Sequence, residues 1–147
     1  DTDFSIIIDY AHSPDGLEKA INAVRGLTKG RVITLFGCGG DRDKTKRPEM
    51  AKAACELSDV VILTSDNPRS EEPMDILNDM VAGVPAASTE SVKVVVDRAE
   101  AIGEAIKMAV SGDIILVAGK GHEDYQEIKG VKYHFSDKEV IGEIFNS

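Results

Sequence analysis

Val60-Val61-Ile62-Leu63-Thr64-Ser65, followed directly by Asp66-Asn67-Pro68-Arg69, decides the architecture of this chain. The first six residues are a short, mostly apolar run rich in β-branched side chains, which reads as a buried strand. The polar tetrad then falls at the carboxyl end of that strand, where open α/β sheets bind their ligands. A carboxylate, an amide and a guanidinium placed there suit a zwitterion. The arginine fork pairs with a carboxylate, and Asp and Asn oxygens accept bonds from an ammonium. The same four residues also suit a plain strand end closed by an Asx-Pro turn.

Two more segments repeat the pattern. Arg31-Val32-Ile33-Thr34-Leu35-Phe36 runs into Gly37-Cys38-Gly39-Gly40-Asp41-Arg42-Asp43-Lys44, and Ile114-Ile115-Leu116-Val117-Ala118 runs into Gly119-Lys120-Gly121-His122-Glu123-Asp124. If the three strands are parallel neighbours, their loops open on one edge of the sheet and form a polar cleft with both signs of charge.

Between and around these strands the apolar spacing turns helical. Ser13-Pro14-Asp15 opens a helix carrying Leu17, Ala20, Ile21 and Val24, closed by Gly26. A second helix is expected from Pro48, a third after Glu71-Glu72-Pro73 and ending at Gly83, and a fourth over Ala99–Ala109. Phe4 to Asp9 and Val92 to Val96 read as further strands. Gln126 to Phe135 reads as a hairpin turning at Lys129-Gly130, and Ser136 caps a last helix. The expected fold is α/β: a Rossmann-like open, mostly parallel sheet of about six strands flanked by helices, with a C-terminal β-hairpin.

The chain has 147 residues, enough for one compact domain with a core that needs neither disulfides nor metals. Its formal net charge of −9 argues against a nucleic-acid partner. Cys38 and Cys55 make no disulfide framework, which favours a reducing, cytoplasmic setting. No long apolar run suggests a membrane span. The five His and Cys residues lack zinc-ligand spacing, so no metal site is expected in the chain.

Two nucleotide-binding patterns are approached and missed. Gly37-Cys38-Gly39-Gly40 has Arg42 where a dinucleotide fingerprint needs its third glycine, and Lys44-Thr45 follows Asp43 rather than the glycine of a P-loop. The chain is therefore not expected to hold the main phosphate cradle. Taken singly, Asp9 suits a helix-start cap as well as a nucleotide contact, and His12 suits a backbone bond. Arg42, Lys44, Lys46 and Arg47 suit a solvated basic loop, and Asp113, Glu123 and Asp124 suit ordinary surface acids.

The order Asp9-Tyr10-Ala11-His12-Ser13-Pro14, the Gly37–Lys44 loop, Asp66-Asn67-Pro68-Arg69 and Gly119-Lys120-Gly121-His122-Glu123-Asp124-Tyr125 closely resembles the C-terminal domain of the Mur ligases that add the third residue of the peptidoglycan stem peptide. The resemblance spans essentially the whole chain. It implies that residues 1–147 form the amino-acid-binding domain of a bacterial, cytoplasmic, monomeric ATP-dependent ligase. It further implies that domains for the UDP-sugar and for ATP lie upstream and that ATP and Mg2+ are held mainly there. This chain alone would then be catalytically silent. The tetrad Asp-Asn-Pro-Arg is associated in that family with meso-diaminopimelate as the added amino acid. The resemblance places Arg42, Asp66, Asn67, Pro68, Arg69, Gly119 and Glu123 around that amino acid, with Arg42 and Arg69 on carboxylates. Asp66, Asn67 and Glu123, with the backbone near Gly119, hold its distal end including the amine. Asp9 and His12 would approach ATP, and UDP-MurNAc-dipeptide would be met through the full-length enzyme. The alternatives are a lysine-adding relative, a non-catalytic small-molecule-binding α/β module, and a nucleotidyl or phosphoryl transferase.

Overall fold

The computed structural model describes residues 3–146. Strands β1 (Ser5–Asp9), β2 (Val32–Phe36), β3 (Val60–Leu63), β4 (Val92–Val94) and β5 (Ile114–Ala118) form one sheet in the order β1-β5-β2-β3-β4. Every pairing in it is parallel. The sheet thus has five strands, not about six, because Tyr125–Ile128 (β6) and Val131–His134 (β7) form a separate antiparallel hairpin, which meets the rest through a lone β-bridge at Arg69. Lys129 and Gly130 at its tip have φ of 51° and 82°, the pair of positive values that a two-residue type I′ turn requires.

Parallel strands covered on both faces should be apolar throughout, and β2 and β5 are buried at all of their residues. Helices α1 (Pro14–Arg25), α2 (Lys46–Leu57) and α3 (Pro73–Val81) cover one face, packing Leu17, Ile21, Met50, Ala54, Leu77 and Met80 on Phe36, Leu63 and Leu116. On the other face α4 (Arg98–Met108) and α5 (Asp137–Asn146) pack Ala101, Ile102, Val140 and Ile144 on Ile33, Leu35, Ile62 and Val117. Each large side chain so buried contributes roughly 1.5–3 kcal/mol relative to exposure. Ser13 caps α1, its Oγ accepting from the Gly16 N–H at 3.1 Å, with Pro14 in the first turn where its missing N–H costs nothing. The second helix starts at Lys46, two residues before Pro48, and the fourth strand ends at Val94 rather than Val96.

Two charged features are buried, the first of them at Asp113, which in sequence suits an ordinary surface acid. Asp113 is 2% exposed, and its carboxylate takes bonds from Arg31 and from the Val110 N–H. Arg98 and Asp137 form a fully buried pair, with Nε–Oδ1 at 2.7 Å and Nη2–Oδ2 at 2.8 Å. The Arg98 guanidinium also donates to the Ser65 carbonyl at 3.0 Å and the Ala118 carbonyl at 3.2 Å. It therefore ties the ends of β3 and β5 together, one residue before Asp66 and Gly119.

Candidate functional site

The loops after β2, β3 and β5 converge because those three strands are adjacent and parallel. Residues of the first two loops touch through their backbones: the Gly40 N–H donates to the Asn67 carbonyl at 2.7 Å. A Cβ on Gly40 would overlap the Pro68 carbonyl, so only glycine permits this approach. Gly119 sits at φ +112°, which a side chain would strain, and lets the third loop turn beside Asp66.

The hairpin completes the frame. Arg69 has φ 52°, rare for a residue with a side chain. Its N–H donates to the Glu127 carbonyl at 2.9 Å, and its carbonyl accepts from the Lys129 N–H. Gln126 Nε2 donates to the Asp66 carbonyl at 2.7 Å. The tetrad is thus clamped between the Gly40 loop and β6.

A cleft of about 460 Å³ opens among these loops. Arg42, Asp66, Asn67, Arg69, Gly119, Glu123 and His12 all line it. Pro68 does not; it is buried, and its carbonyl accepts from the Glu71 N–H while packing against Gly40. Asp9 does not line it either, and its Oδ1 caps the Ala11 N–H at 2.8 Å, the local turn that its position also allowed. His12 is exposed and donates from Nδ1 to the Tyr10 carbonyl at 2.8 Å.

Charge in the cleft is divided. Arg42 and Arg69 flank Gly39: a Cβ there would lie 2.7 Å from Arg69 Nη1 and 3.7 Å from Arg42 Cγ. Arg69 spends Nη1 on the Gly40 carbonyl at 3.0 Å, and its Nε lies 3.7 Å from Glu127, so its Nη2 has no protein partner among the described residues. Arg42 is exposed, with one bond to its neighbour Asp41's carbonyl.

Asp66, Asn67 and Glu123 instead gather round Lys120, which sequence reading passed over as part of a glycine-rich loop. Lys120 is fully buried, and its Nζ lies 3.0 Å from Asn67 Oδ1, 3.3 Å from Asp66 Oδ1 and 3.4 Å from Glu123 Oε1. Asn67 Oδ1 also accepts from the Glu127 N–H at 3.0 Å. The oxygen expected to accept from a ligand ammonium is thereby taken, and the amide nitrogen, whose one contact is a long 3.5 Å to Glu123 Oε1, is the atom Asn67 has left to offer. No periodicity marks such a lysine; a lysine flanked by two glycines directly after a buried strand was the only available signal.

Arg47 is the second surprise. It is 1% exposed rather than part of a solvated loop. It pairs with Glu71 through two bonds at 3.0 and 2.7 Å, with Asp79 at 2.9 Å, and with the Gly39 carbonyl at 3.1 Å. Glu71 also accepts from the Asp41 N–H at 2.7 Å, so the pair holds the arginine-bearing loop against the tetrad. The bonds from Arg47, with help from that N–H, hold the Glu71 carboxyl down at about 2. Its folded value lies below its ordinary 4.5, so the stabilisation is complete above that pH and is lost as pH falls toward 2. Glu71→Gln is expected to flatten the loss of stability over that window, read from urea midpoints at successive pH. Parallel profiles for the two proteins would show that Glu71 contributes nothing there. Cys38 also lines the cleft, and burial pushes its thiol up to about 12, against the pull of Arg47, which favours the neutral thiol.

Residues 1–121 match the family described as Mur ligase, glutamate ligase domain. The chain belongs to this family. The Mur ligase domain is 60% identical over 142 residues to the UDP-N-acetylmuramoyl-L-alanyl-D-glutamate--2,6-diaminopimelate ligase of Bacteroides thetaiotaomicron, covering 95% of this chain and 30% of that protein. It is 56% identical over 141 residues to the ligase of the same name from Clostridium perfringens, covering 96% of this chain and 28% of the relative. A solved structure of a ligase with that name superposes with a TM-score of 0.93 at 41% identity, over 99% of this chain and 30% of the other. A Mycobacterium tuberculosis folylpolyglutamate synthase complexed with ADP shares the fold at 20% identity and a TM-score of 0.58. The Mur ligase domain thus spans under a third of the length of the curated relatives it matches.

Proposed function

We propose that this domain selects and orients meso-diaminopimelate for an ATP-dependent ligase that joins it to UDP-MurNAc-L-Ala-D-Glu. The observation that carries the reading is the divided charge of the cleft: two arginines flank Gly39, while carboxylates and an amide gather at Lys120. Diaminopimelate bears two carboxylates and two ammonium groups, and such a cleft can meet both kinds. Arg42 and Arg69 supply forks for carboxylates. Glu123 is 28% exposed in its side chain and makes only long contacts, of 3.4 Å to Lys120 and 3.5 Å to Asn67, which leaves it free to accept from a ligand ammonium. The names of the high-identity relatives support the same amino acid.

In the reaction, ATP phosphorylates the D-glutamate carboxylate to an acyl phosphate, the diaminopimelate amine attacks the acyl carbon, and phosphate leaves. The residues described here hold and aim the amine donor, and positioning of this kind supplies much of the rate of a two-substrate step. Phosphoryl transfer calls for Mg2+ on the ATP phosphates. The reading assigns that ion, with the phosphate cradle, to upstream domains of a longer protein, as the family resemblance implies. The reading also places the enzyme in the bacterial cytoplasm, and no helix among the described residues is long and apolar enough to cross a membrane.

Arg42→Ala tests the reading in the full-length ligase. The KM for diaminopimelate is expected to rise about tenfold or more, as the loss of a charge-assisted bond implies, with little change in the KM for ATP. Equal changes in both would assign Arg42 to the nucleotide or to loop structure. A lysine-adding enzyme would reveal itself in the wild type, by preferring lysine over diaminopimelate.

A further inference from the structure

A buried lysine surrounded by the residues of a binding cleft has two possible meanings. It neutralises carboxylates that folding has brought together, or it sets the orientation of a group that reads the ligand. The bonds at Asn67 favour the second. A side-chain amide has one oxygen with two lone pairs and one nitrogen with two hydrogens. Here the oxygen receives Lys120 Nζ at 3.0 Å and the Glu127 N–H at 3.0 Å, which uses both lone pairs. Rotating the amide by half a turn would set its N–H2 against an ammonium and an N–H, three donor groups with no acceptor among them. Lys120 therefore fixes which end of Asn67 meets the cleft, and that end is the donor. The lysine cannot swing away, because it is fully buried, held by Asp66 Oδ1 and Glu123 Oε1, and covered by the Tyr125 ring at 5.6 Å.

We propose that Lys120 is a positioning residue: it locks Asn67 with its N–H2 on the side of Glu123, in the cleft that Arg69 also lines, and so favours an amino acid carrying a second carboxylate over one that lacks it. This rests on the diaminopimelate reading above. A carboxylate gains from the amide hydrogen that the long 3.5 Å contact to Glu123 Oε1 does not use. Lysine, which has no second carboxylate, leaves that hydrogen and Arg69 Nη2 without a partner, and sites built from buried polar groups reject such analogues.

The test compares wild type, Lys120→Met, Asn67→Ala and the double variant in the full-length ligase, with diaminopimelate and with lysine. Lys120→Met is expected to raise the KM for diaminopimelate about tenfold or more, to leave the KM for ATP unmoved, and to lower the kcat/KM ratio of diaminopimelate over lysine. Because Lys120 acts through Asn67, adding Lys120→Met to Asn67→Ala should change these values little. Costs that simply add, or an unchanged ratio, overturn the proposal. Should Lys120→Met fail to fold, Asn67→Asp decides, since it keeps a partner for the ammonium while removing the donor face. A loss of selectivity in that variant supports the proposal, and an unchanged KM and ratio sink it. A wild-type enzyme with no preference for diaminopimelate fails the substrate reading instead. The Asn67 amide resonances of isotope-labelled protein then report on the Lys120 contact alone: a shift in Lys120→Met supports the lock, and no shift removes it.

Discussion

Arg69→Ala in the full-length ligase is expected to lower kcat/KM for meso-diaminopimelate by about tenfold to a hundredfold, the loss of a charged hydrogen-bond partner in a shielded site. The ratio of kcat/KM for diaminopimelate over lysine should fall with it, because the substrates differ by the one carboxylate that Arg69 is placed to reward. Geometry makes the arginine suitable. Its backbone is clamped by Glu127 and Lys129. One nitrogen of its guanidinium is fixed on the Gly40 carbonyl, and the other terminal nitrogen has no protein partner among the described residues. The fork is thus held before a ligand arrives, which lowers the entropy lost on binding. The same bond to Gly40 gives Arg69 a part in loop packing, so the KM for ATP and the thermal midpoint are measured alongside. A fall in activity with an unchanged substrate ratio would make Arg69 a turn residue and nothing more.

Asp137→Ala should produce the largest loss of stability in the domain, about 3–5 kcal/mol, because it leaves the buried Arg98 without its counter-charge. The aspartate and arginine are both wholly inaccessible, and their two bonds are short. Denaturant unfolding of the purified chain measures the difference. Replacing both members together, as in Arg98→Met with Asp137→Leu, is expected to cost much less, since no charge is then stranded. A loss below about 1 kcal/mol, the size typical of exposed pairs, for Asp137→Ala would mean that the guanidinium finds another partner or water. The pair also bears on the site, since Arg98 holds the Ser65 and Ala118 carbonyls next to Asp66 and Gly119.

What the sequence determined by itself is the layer plan and the rim. Three apolar runs, each ending in a glycine-rich or charged loop, are adjacent parallel strands, and their loops share one cleft. The reason is local: a strand buried on both faces must be apolar along its length, so its polar end stands out in one dimension. Ser13 as a cap and Lys129-Gly130 as a turn were legible for the same reason, each being settled by its own few residues.

Only the tertiary structure decided the roles of the charged residues inside that plan. Lys120 reaches residues 53 and 54 positions away, Arg98 meets a carboxylate 39 positions on, and Arg47, at the start of α2, joins Glu71 before α3 and Asp79 near the end of α3. A lysine or arginine in sequence looks solvated, since isolated charges rarely pay their desolvation. Whether one is buried depends on distant acceptors that the topology delivers. Asn67 shows the consequence most plainly: its identity was readable, but which of its two ends faces the ligand was set by a lysine from another loop and an N–H from the hairpin.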